Sequence, residues 1–357
     1  MKIGFIIGTL KYSGAEKIAR YLLESLSSQG HTLSVILLAE QKPCEGITDV
    51  KQIPLFITGS KYTRILKRQK AIRETVIKEN FDVVVSFGVT YNLDVMEALR
   101  NTKVPVILCE RNDPYTSPQK KVHRLRRNLI YKKASGFVFQ TERIADFFGE
   151  KIKSRSIVIP NFIENKYEKT DAQSNENIIV ITARLDENQK NISMLLRAFK
   201  RFSSDNDYKL YIVGEGPDKG MYEKYIEENH MSDKVVLTGR QQVLPYLEKA
   251  KFFVLSSNFE GMPNSLIEAM AVGLPCISTD CSGGGAAALI NDGVNGLLIP
   301  VNDEDKLLEA MVKLANDDKL RKKLSDEAYK INDTLEFNKI ISKWENYIEQ
   351  IAQGGKK

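Results

Sequence analysis

The chain has 357 residues, of which 42% are hydrophobic and 27% charged, with four cysteines and a net charge of +6. This length predicts two domains that each bury a core, and the composition excludes wholesale disorder, collagen and coiled coil. The cysteines are too scattered for a disulfide framework or a four-ligand zinc site. No apolar run reaches the ~20 residues that span a bilayer. We therefore expect a soluble, cytoplasmic protein.

The charge is unevenly distributed along the chain. Residues 1–165 contain 27 Lys and Arg against 16 Asp and Glu, a balance of +11, whereas the remainder has a balance of −5. This asymmetry predicts that the first half meets something anionic, which could be a membrane surface, a phosphate-bearing substrate or nucleic acid. Nucleic acid is disfavoured because no recognition module accompanies the charge.

Short apolar runs alternate with longer segments of helical periodicity along the whole chain. The amino terminus is interpreted as the first strand and its turn and not as a signal peptide. Most runs are continuously apolar, as expected for parallel strands covered on both faces, so each half is a series of βα units. The predicted strands are residues 2–8, 32–38, 82–88, 104–110, 136–140, 156–160, 177–184, 208–214, 234–239, 251–257 and 275–280.

A polar stretch at residues 164–177 separates the two halves and is interpreted as a linker. The predicted domains are 1–163 and 178–335, each α/β and Rossmann-like, facing each other across a cleft. The chain turns helical after about residue 304, and its last segment, 336–357, contains the only tryptophan, Trp344. In such sheets, ligands bind outside the carboxyl ends of the strands, so the loops there are where site residues are expected.

The loop after the strand at 251–257 has the richest chemistry. Glu260 and Glu268 bracket a turn with Gly261 and Pro263, and a helix is predicted to begin at about Pro263. The free N–H groups and the helix dipole would form an anion site suited to a diphosphate, and the carboxylates could accept hydrogen bonds from sugar and ribose hydroxyls. The alternative is an ordinary capped helix with two surface glutamates.

A second loop carries two cations, Arg184 at a strand end and Lys190 six residues later. Together they could neutralise a diphosphate leaving group without a metal, although two solvated basic residues would give the same pattern. Glycines after other strands are weaker signals. In the amino-terminal turn, Ser13 could cap a helix and the amides of Ser13 and Gly14 could point into the cleft.

These segments together resemble family 4 of the retaining glycosyltransferases, which have the GT-B fold. The matching stretches lie between residues 13 and 303 and are SGAEK, CERND, VFQTE, IPNFI, ARLDENQKN, VGEGP, LTGR, FEGMPNSLIEAMAVGLPCISTDC and DGVNGLLIPVND. The FEGMP and CERND motifs look most like those of bacterial enzymes that build capsule, exopolysaccharide or O-antigen repeats. The resemblance also implies that the helix at 336–357 returns to the first domain.

The resemblance implies a nucleotide-sugar donor, with a UDP-sugar expected, and retention of configuration without a separate base or a metal. Arg184 and Lys190 would hold the diphosphate, Glu268 the ribose and Glu260 the donor sugar; the implied catalytic set is Arg184, Lys190 and Glu260. The base would meet the backbone around Gly239 and Arg240. The full donor-binding set is Gly14, Gly214, Gly239, Arg240, Gly261, Met262, Pro263, Asn264, Ser265, Leu266 and Glu268.

Two positions depart from the family pattern. Many relatives have a histidine in the loop where this chain has Arg111 and Asn112, and we predict that these two residues contact the acceptor or the sugar. Relatives commonly have a charged residue and a glutamate where this chain has Ala287 and Ala288, which could alter donor choice or weaken activity. Asp-x-Asp look-alikes at 205–207 and 303–305 are interpreted as solvated turns and not as metal sites.

The predicted function is transfer of a hexose-type sugar to a lipid-linked oligosaccharide or polysaccharide precursor at the inner face of the membrane. The basic segments 61–70 and 120–133 interleave cations with apolar residues, as in helices that lie on anionic lipid. Their alternative is a solvated helix face whose apolar side lies in the core. Alternatives for the whole chain are a non-catalytic nucleotide- or glycan-binding subunit and a nucleotide-sugar epimerase or inverting transferase of the same fold.

Overall fold

The computed structural model describes residues 1–11, 14–118, 120–170 and 176–354, without the side chains of residues 61 and 62. The chain forms two compact units, one of Met1–Phe162 together with Phe337–Lys357 and the other of Ile163–Glu336. Among the described helices, none combines the length and the apolar character that crossing a membrane requires.

The first unit is built on seven parallel strands in the order β3-β2-β1-β4-β5-β6-β7. Every residue of the neighbouring strands β4 and β5 is buried, which explains their unbroken apolar sequences. The strands are β1 (Lys2–Ile7), β2 (Thr32–Leu37), β3 (Lys51–Pro54), β4 (Val83–Phe87), β5 (Val106–Glu110), β6 (Gly136–Phe139) and β7 (Ser156–Val158).

Helices cover both faces of this sheet. Side chains of α1 and α15 pack on one face, and side chains of α2 to α6 pack on the other. The bounds are α1 (Gly14–Ser28), α2 (Lys61–Glu79), α3 (Val89–Ala98), α4 (Lys121–Tyr131), α5 (Glu142–Phe147), α6 (Glu150–Lys153) and α15 (Phe337–Gly354).

The carboxyl-terminal helix α15 is part of the core of the first unit. Trp344 is 1% exposed, and its ring lies 5.8 Å from that of Phe87 on β4. The Tyr347 hydroxyl donates a 2.6 Å hydrogen bond to the carbonyl of Arg155 and accepts one from the amide of Phe137. Gly136 allows this approach, because a Cβ at that position would lie 2.6 Å from the Tyr347 oxygen.

The second unit is built on six parallel strands in the order β10-β9-β8-β11-β12-β13. Helices α8, α9 and α12 cover one face, while α10, α11 and α14 cover the other. The strands are β8 (Ile178–Thr182), β9 (Lys209–Val213), β10 (Val235–Gly239), β11 (Phe252–Leu255), β12 (Cys276–Thr279) and β13 (Leu297–Ile299). The helices are α7 (Glu187–Lys190), α8 (Ile192–Phe202), α9 (Lys219–Glu228), α10 (Leu244–Lys249), α11 (Asn264–Ala271), α12 (Glu304–Asn316), α13 (Asp318–Tyr329) and α14 (Ile331–Thr334).

The architecture confirms the predicted α/β class with two Rossmann-like parallel sheets. All eleven predicted strands exist, whereas β3 and β13 were not predicted from the sequence. Both are edge strands of four and three residues, too short for a clear apolar run.

The first part of the predicted linker at 164–177 packs on the second unit. Thr170 donates its amide to the carbonyl of Val272 at 2.9 Å, and the Tyr329 hydroxyl donates to the carbonyl of Tyr167 at 2.8 Å. Residues 171–175 of this segment lie outside the described residues.

Candidate active site

The carboxyl ends of β8 and β11 carry the charged residues predicted for donor binding. The two strands are neighbours in the sheet of the second unit, so the loops that follow them lie side by side. The first loop leads into the short helix α7, whose last residue is Lys190. The second contains Glu260 and leads into α11, which begins at Asn264, one residue after the predicted start, with Pro263 as its N-cap.

Lys190 and Glu260 form an ion pair between these loops, with side chains only 12% and 9% exposed. The Glu260 carboxylate also accepts a hydrogen bond from the Ser257 hydroxyl at 2.7 Å and one from the side-chain amide of Gln189 at 3.3 Å. Three donors therefore hold the carboxylate in place. The structure thus brings together two of the three residues predicted to be catalytic.

Arg184, the third, lies in the same loop as Lys190 but is much more accessible. Its side chain is 66% exposed and donates to Asp186 at 2.7 Å, its one acidic partner within the described residues. The Asp186 side chain also caps α7 by accepting from the amide of Gln189. A cation held by a helix-capping carboxylate keeps its position in the loop while its guanidinium remains open to an anion.

Asn191 joins the loops of the candidate site and was not predicted from the sequence. It is buried, adopts a left-handed conformation with φ of 46°, and ends α7 directly after Lys190. Its side-chain amide donates to Asn258 at 3.0 Å and to Asn302 at 2.8 Å, which joins the loops after β8, β11 and β13. The signal in the sequence was an asparagine just before an apolar helix, because asparagine tolerates this conformation better than most residues.

The loops predicted to bind the donor pack backbone on backbone at two glycine positions. A Cβ on Gly285 would lie 1.8 Å from the carbonyl oxygen of Gly261, and a Cβ on Gly214 would lie 1.9 Å from that of Ala183. Only glycine allows main chains to approach so closely. The predicted Gly261 and Gly214 are therefore tied to the architecture of the loops, and Gly285 is a further position of the same kind.

The remaining predicted donor residues of the second unit are placed as follows. Met262 and Leu266 have side chains in the hydrophobic core, so they can contribute to a ligand site only through their backbone. Gly239 ends β10 with φ of 72°, and its carbonyl accepts from the amide of Gly214 at 2.9 Å. Arg240 follows it. Asn264, Ser265 and Glu268 are half-buried in the first turns of α11.

In the first unit, the predicted acceptor residues follow β5, which is the neighbour of the central strand β4. The Arg111 guanidinium lies 4.5 Å from the ring of Phe87 and donates to the side chain of Asn161. Burial lowers the pKa of Arg111 to about 10. The Asn112 side chain accepts from the next amide at 3.0 Å and so shapes the turn. Gly14, also assigned to donor binding, begins α1, whereas Ser13 lies outside the described residues.

Glu110 and Gln140 are polar residues in the core around Arg111 that no prediction singled out. Glu110 is 1% exposed and accepts from the Tyr131 hydroxyl at 3.1 Å, while its Oε1 has no partner among the described residues. Burial raises the pKa of Glu110 to about 8, and nearby Arg127 opposes this shift. Gln140 donates to Asn161 at 2.9 Å, and its Oε1 is likewise unpaired there. Glu110 could have been identified from the sequence as a glutamate at the end of an otherwise apolar strand.

Metal ligands are sparse where the structure can be described. His31, Glu345 and Glu349 in the first unit place one potential ligand atom each within 4.8 Å of one another. Asp303, from one of the Asp-x-Asp look-alikes, caps α12 by accepting from the amide of Lys306 at 2.9 Å.

Two family models match consecutive parts of the chain. The model described as Glycosyltransferase Family 4 matches residues 12–166, and the one described as Glycosyl transferases group 1 matches residues 162–331. A similar curated protein is the GalNAc-alpha-(1->4)-GalNAc-alpha-(1->3)-diNAcBac-PP-undecaprenol alpha-1,4-N-acetyl-D-galactosaminyltransferase of Campylobacter jejuni. It is 28% identical, and the alignment covers 98% of this chain and 99% of that protein.

Solved structures agree with the family models in fold. A lipopolysaccharide outer core galactosyltransferase in its apo form superimposes with a TM-score of 0.81 at 19% identity, covering 98% of this chain and 99% of that one. HepE of Anabaena, solved with UDP and glucose, gives 0.76 at 18% identity and covers 99% of both chains. With both family models matched and two parallel-sheet units in place, the chain belongs to glycosyltransferase family 4 and is a glycosyltransferase with the GT-B fold.

Proposed function

We propose that this glycosyltransferase moves a hexose-type sugar from a UDP-sugar to a lipid-linked oligosaccharide or polysaccharide precursor, with retention and without a metal. The single observation that carries the proposal is the Lys190–Glu260 pair, in which a nearly buried cation and a fixed carboxylate lie side by side at the strand ends. A diphosphate needs the cation, and sugar hydroxyls are suited to the carboxylate.

The proposed chemistry needs no base from the protein. The acceptor hydroxyl attacks the anomeric carbon from the side of the leaving group while the bond from that carbon to the phosphate oxygen breaks. The electron pair of that bond stays on UDP, and the hydroxyl proton passes to a phosphate oxygen. Lys190 and Arg184 would stabilise the charge that develops on the diphosphate, which is where fixed cations lower a barrier most.

Relatives support the choice of substrates. The names of two Campylobacter jejuni relatives describe transfer of N-acetylgalactosamine to diphospho-undecaprenol-linked sugars, and similar structures such as that of HepE contain UDP. We carry both features over to this chain as proposals. In the first unit, Arg111 and Asn112 would then meet the acceptor. A lipid-linked acceptor further implies a peripheral location at the inner face of the membrane, with the basic segments 61–70 and 120–133 as candidate contacts.

A thermal-shift panel of UDP, GDP, ADP and CMP, each with and without EDTA, tests the donor site. A ligand at 100 times its dissociation constant adds about 2.7 kcal/mol, which should raise the melting temperature by several degrees. We expect a shift with UDP that survives EDTA and fades in Glu268→Ala. Glu309→Ala, an exposed helix glutamate of the same unit, is the control that should keep the full shift.

Release of UDP from a panel of UDP-sugars then separates an enzyme from a binding subunit. Turnover that disappears in Lys190→Gln supports the transferase. A wild-type protein that binds UDP without any turnover, even when lipid-linked acceptors are supplied, would favour the non-catalytic alternative. Absence of any nucleotide shift would remove the donor assignment altogether.

A further inference from the structure

Helix α4 has its polar and apolar side chains in the reverse of the usual arrangement. Arg127 and Tyr131 are fully buried, whereas Val122, Leu125 and Leu129 are 72%, 67% and 66% exposed. A helix that covers a sheet normally turns its apolar stripe toward the core. The alternative interpretation of segment 120–133, in which its apolar side lies in the core, is therefore wrong for these three residues.

The buried side of α4 explains why the helix cannot simply rotate. The Arg127 guanidinium donates to the carbonyls of Pro114 and Ser117 at 3.2 and 2.5 Å and lies 5.0 Å from the rings of both Phe147 and Phe148. Tyr131 donates to the buried Glu110. Rotation that buried Leu125 would leave these polar groups without partners, which costs more than the apolar contact would gain.

The exposed side of α4 combines a narrow apolar line with cations. At ~100° per residue, Val122, Leu125 and Leu129 fall within an arc of about 60°, with Lys121 and Arg126 on its two sides. Arg126 pairs with Glu97 at 3.2 Å. No acidic residue of the described chain pairs with Lys121, Lys132 or Lys133, all of which are exposed.

Segment 61–70 is a weaker candidate for the same role. On α2, Leu66 is 68% exposed, but Ile65 is half-buried and Arg68 is bound to Asp94 on α3. A single exposed leucine is common on protein surfaces, and here one of the nearby cations is already paired with a carboxylate. Such a surface by itself indicates no partner.

We propose that the exposed face of α4, formed by Val122, Leu125 and Leu129 with the cations around them, binds the surface of an anionic lipid bilayer. The line is only about 10 Å long, too small for a stable protein interface of ~800 Å² on each partner. The first unit contains 31 Lys and Arg against 17 Asp and Glu, so a second copy would bring like charges together. Lipid headgroups supply the opposite charge and the acyl boundary accepts the leucines.

This contact deepens the proposed function by assigning the membrane contact to one face of α4, and its consequence for the acceptor rests on that function. Arg127 of α4 binds the loop between β5 and α4, and Arg111 and Asn112 lie in the same loop. A helix seated on the bilayer would thus hold the predicted acceptor residues next to the membrane in which a lipid-linked acceptor is dissolved.

Vesicle co-sedimentation of the full chain tests the proposal. The vesicles are phosphatidylcholine alone or with one third phosphatidylglycerol, at low and at high salt. We expect binding to the anionic vesicles that weakens with salt, and a loss of about tenfold or more in the partition coefficient for Leu125→Ser/Leu129→Ser. Both leucines are mostly exposed, so the variant should fold normally. Met221→Ser, at a 45% exposed position on α9, is the control.

Three outcomes would overturn the proposal: no binding of the wild type to anionic vesicles, equal binding to neutral ones, or unchanged binding of the double variant. A concentration-dependent dimer that the double variant loses would assign the face to a second copy instead. The UDP thermal shift is measured on the same samples. Vesicle binding without a UDP shift would support the lipid-binding face of α4 and contradict the proposed function. A UDP shift without vesicle binding would support the donor site and contradict the lipid-binding face.

Discussion

Lys190 and Glu260 neutralise each other in a site where little water reaches either of them. Replacing only one would leave a nearly buried charge without its partner, which is destabilising whatever the residue does in catalysis. We expect Lys190→Gln to lower kcat/KM by about 10² to 10³ and to lower the free energy of unfolding as well. The measurements are UDP release and denaturant unfolding.

The double variant Lys190→Gln/Glu260→Gln separates the two effects. Two neutral amides can hydrogen-bond to each other, so its free energy of unfolding should recover toward that of the wild type. Its activity should stay at the level of the single variant, because no cation remains to meet the diphosphate. An active double variant would contradict the role of Lys190. Lys219→Gln, from an exposed pair with Glu215, is the matched control and should change neither quantity.

The buried carboxyl group of Glu110 should make the free energy of unfolding depend on pH. Its pKa in the folded chain is about 8, above the ordinary value of 4.5, because burial disfavours the carboxylate. The folded state therefore keeps a proton that the unfolded state has released. The contribution of protonated Glu110 to the free energy of unfolding is fully present below pH 4.5, and it is lost as the pH rises through 8. Across this interval the free energy of unfolding falls by an amount on the order of 5 kcal/mol.

The neutral isostere Glu110→Gln isolates this effect. Denaturant unfolding of both proteins between pH 5 and 9 should show the wild type losing stability relative to the variant as the pH rises. Other titrating groups cancel in the difference between the two proteins. A constant difference across this range would show that Glu110 is ionised in the folded chain throughout.

At the scale of elements, the loop after β12 is held against the loop of Gly261 by the absence of a side chain at Gly285. We expect Gly285→Ala to displace the Gly261 loop, to lower the free energy of unfolding by about 1 to 3 kcal/mol and to weaken UDP binding. Gly220→Ala is the control, because nothing lies within 4 Å of its Cβ position near the start of α9 and alanine favours a helix. Normal UDP affinity in Gly285→Ala would contradict the argument.

The docking of α15 depends on Trp344, which is almost fully buried beside Phe87. Truncating a buried aromatic side chain leaves a cavity, so Trp344→Ala should lower the free energy of unfolding by about 3 to 5 kcal/mol. The exposed neighbour Lys343 gives a control variant, Lys343→Ala, that should be nearly neutral. Equal denaturation midpoints for the two variants would show that the helix contributes little to the first unit.

Elements with a strong periodic signal could be predicted from the sequence, and elements without one could not. The central strands are continuous apolar runs because both faces are covered, and so they stood out. In the site, Lys190 and Glu260 could be named, but their pairing across 70 residues depends on β8 and β11 being neighbours. The reversed face of α4 was also hidden, because an apolar stripe gives the same pattern whether it points inward or outward.

At the scale of the molecule, the two units carry separate cores and opposite charges. The first has the balance of +14, and the second, with 21 Lys and Arg against 29 Asp and Glu, has −8. Hydrophobic clusters of the first unit include α15, and those of the second lie within Ile163–Glu336. Units with separate cores can unfold in separate transitions, so a single melting temperature need not describe the whole chain.

The only tryptophan gives a probe for one of these transitions. Trp344 is buried in the first unit, so its fluorescence follows that unit alone, whereas circular dichroism follows both. All predicted donor residues except Gly14 lie in the second unit. UDP at 100 times its dissociation constant should therefore add about 2.7 kcal/mol to the second unit. The midpoint of the circular dichroism transition that belongs to the second unit should rise by several degrees, while the midpoint of the fluorescence transition stays unchanged. Coincident transitions that move together would show that the units unfold as one cooperative body, and a shift confined to fluorescence would place the nucleotide in the first unit.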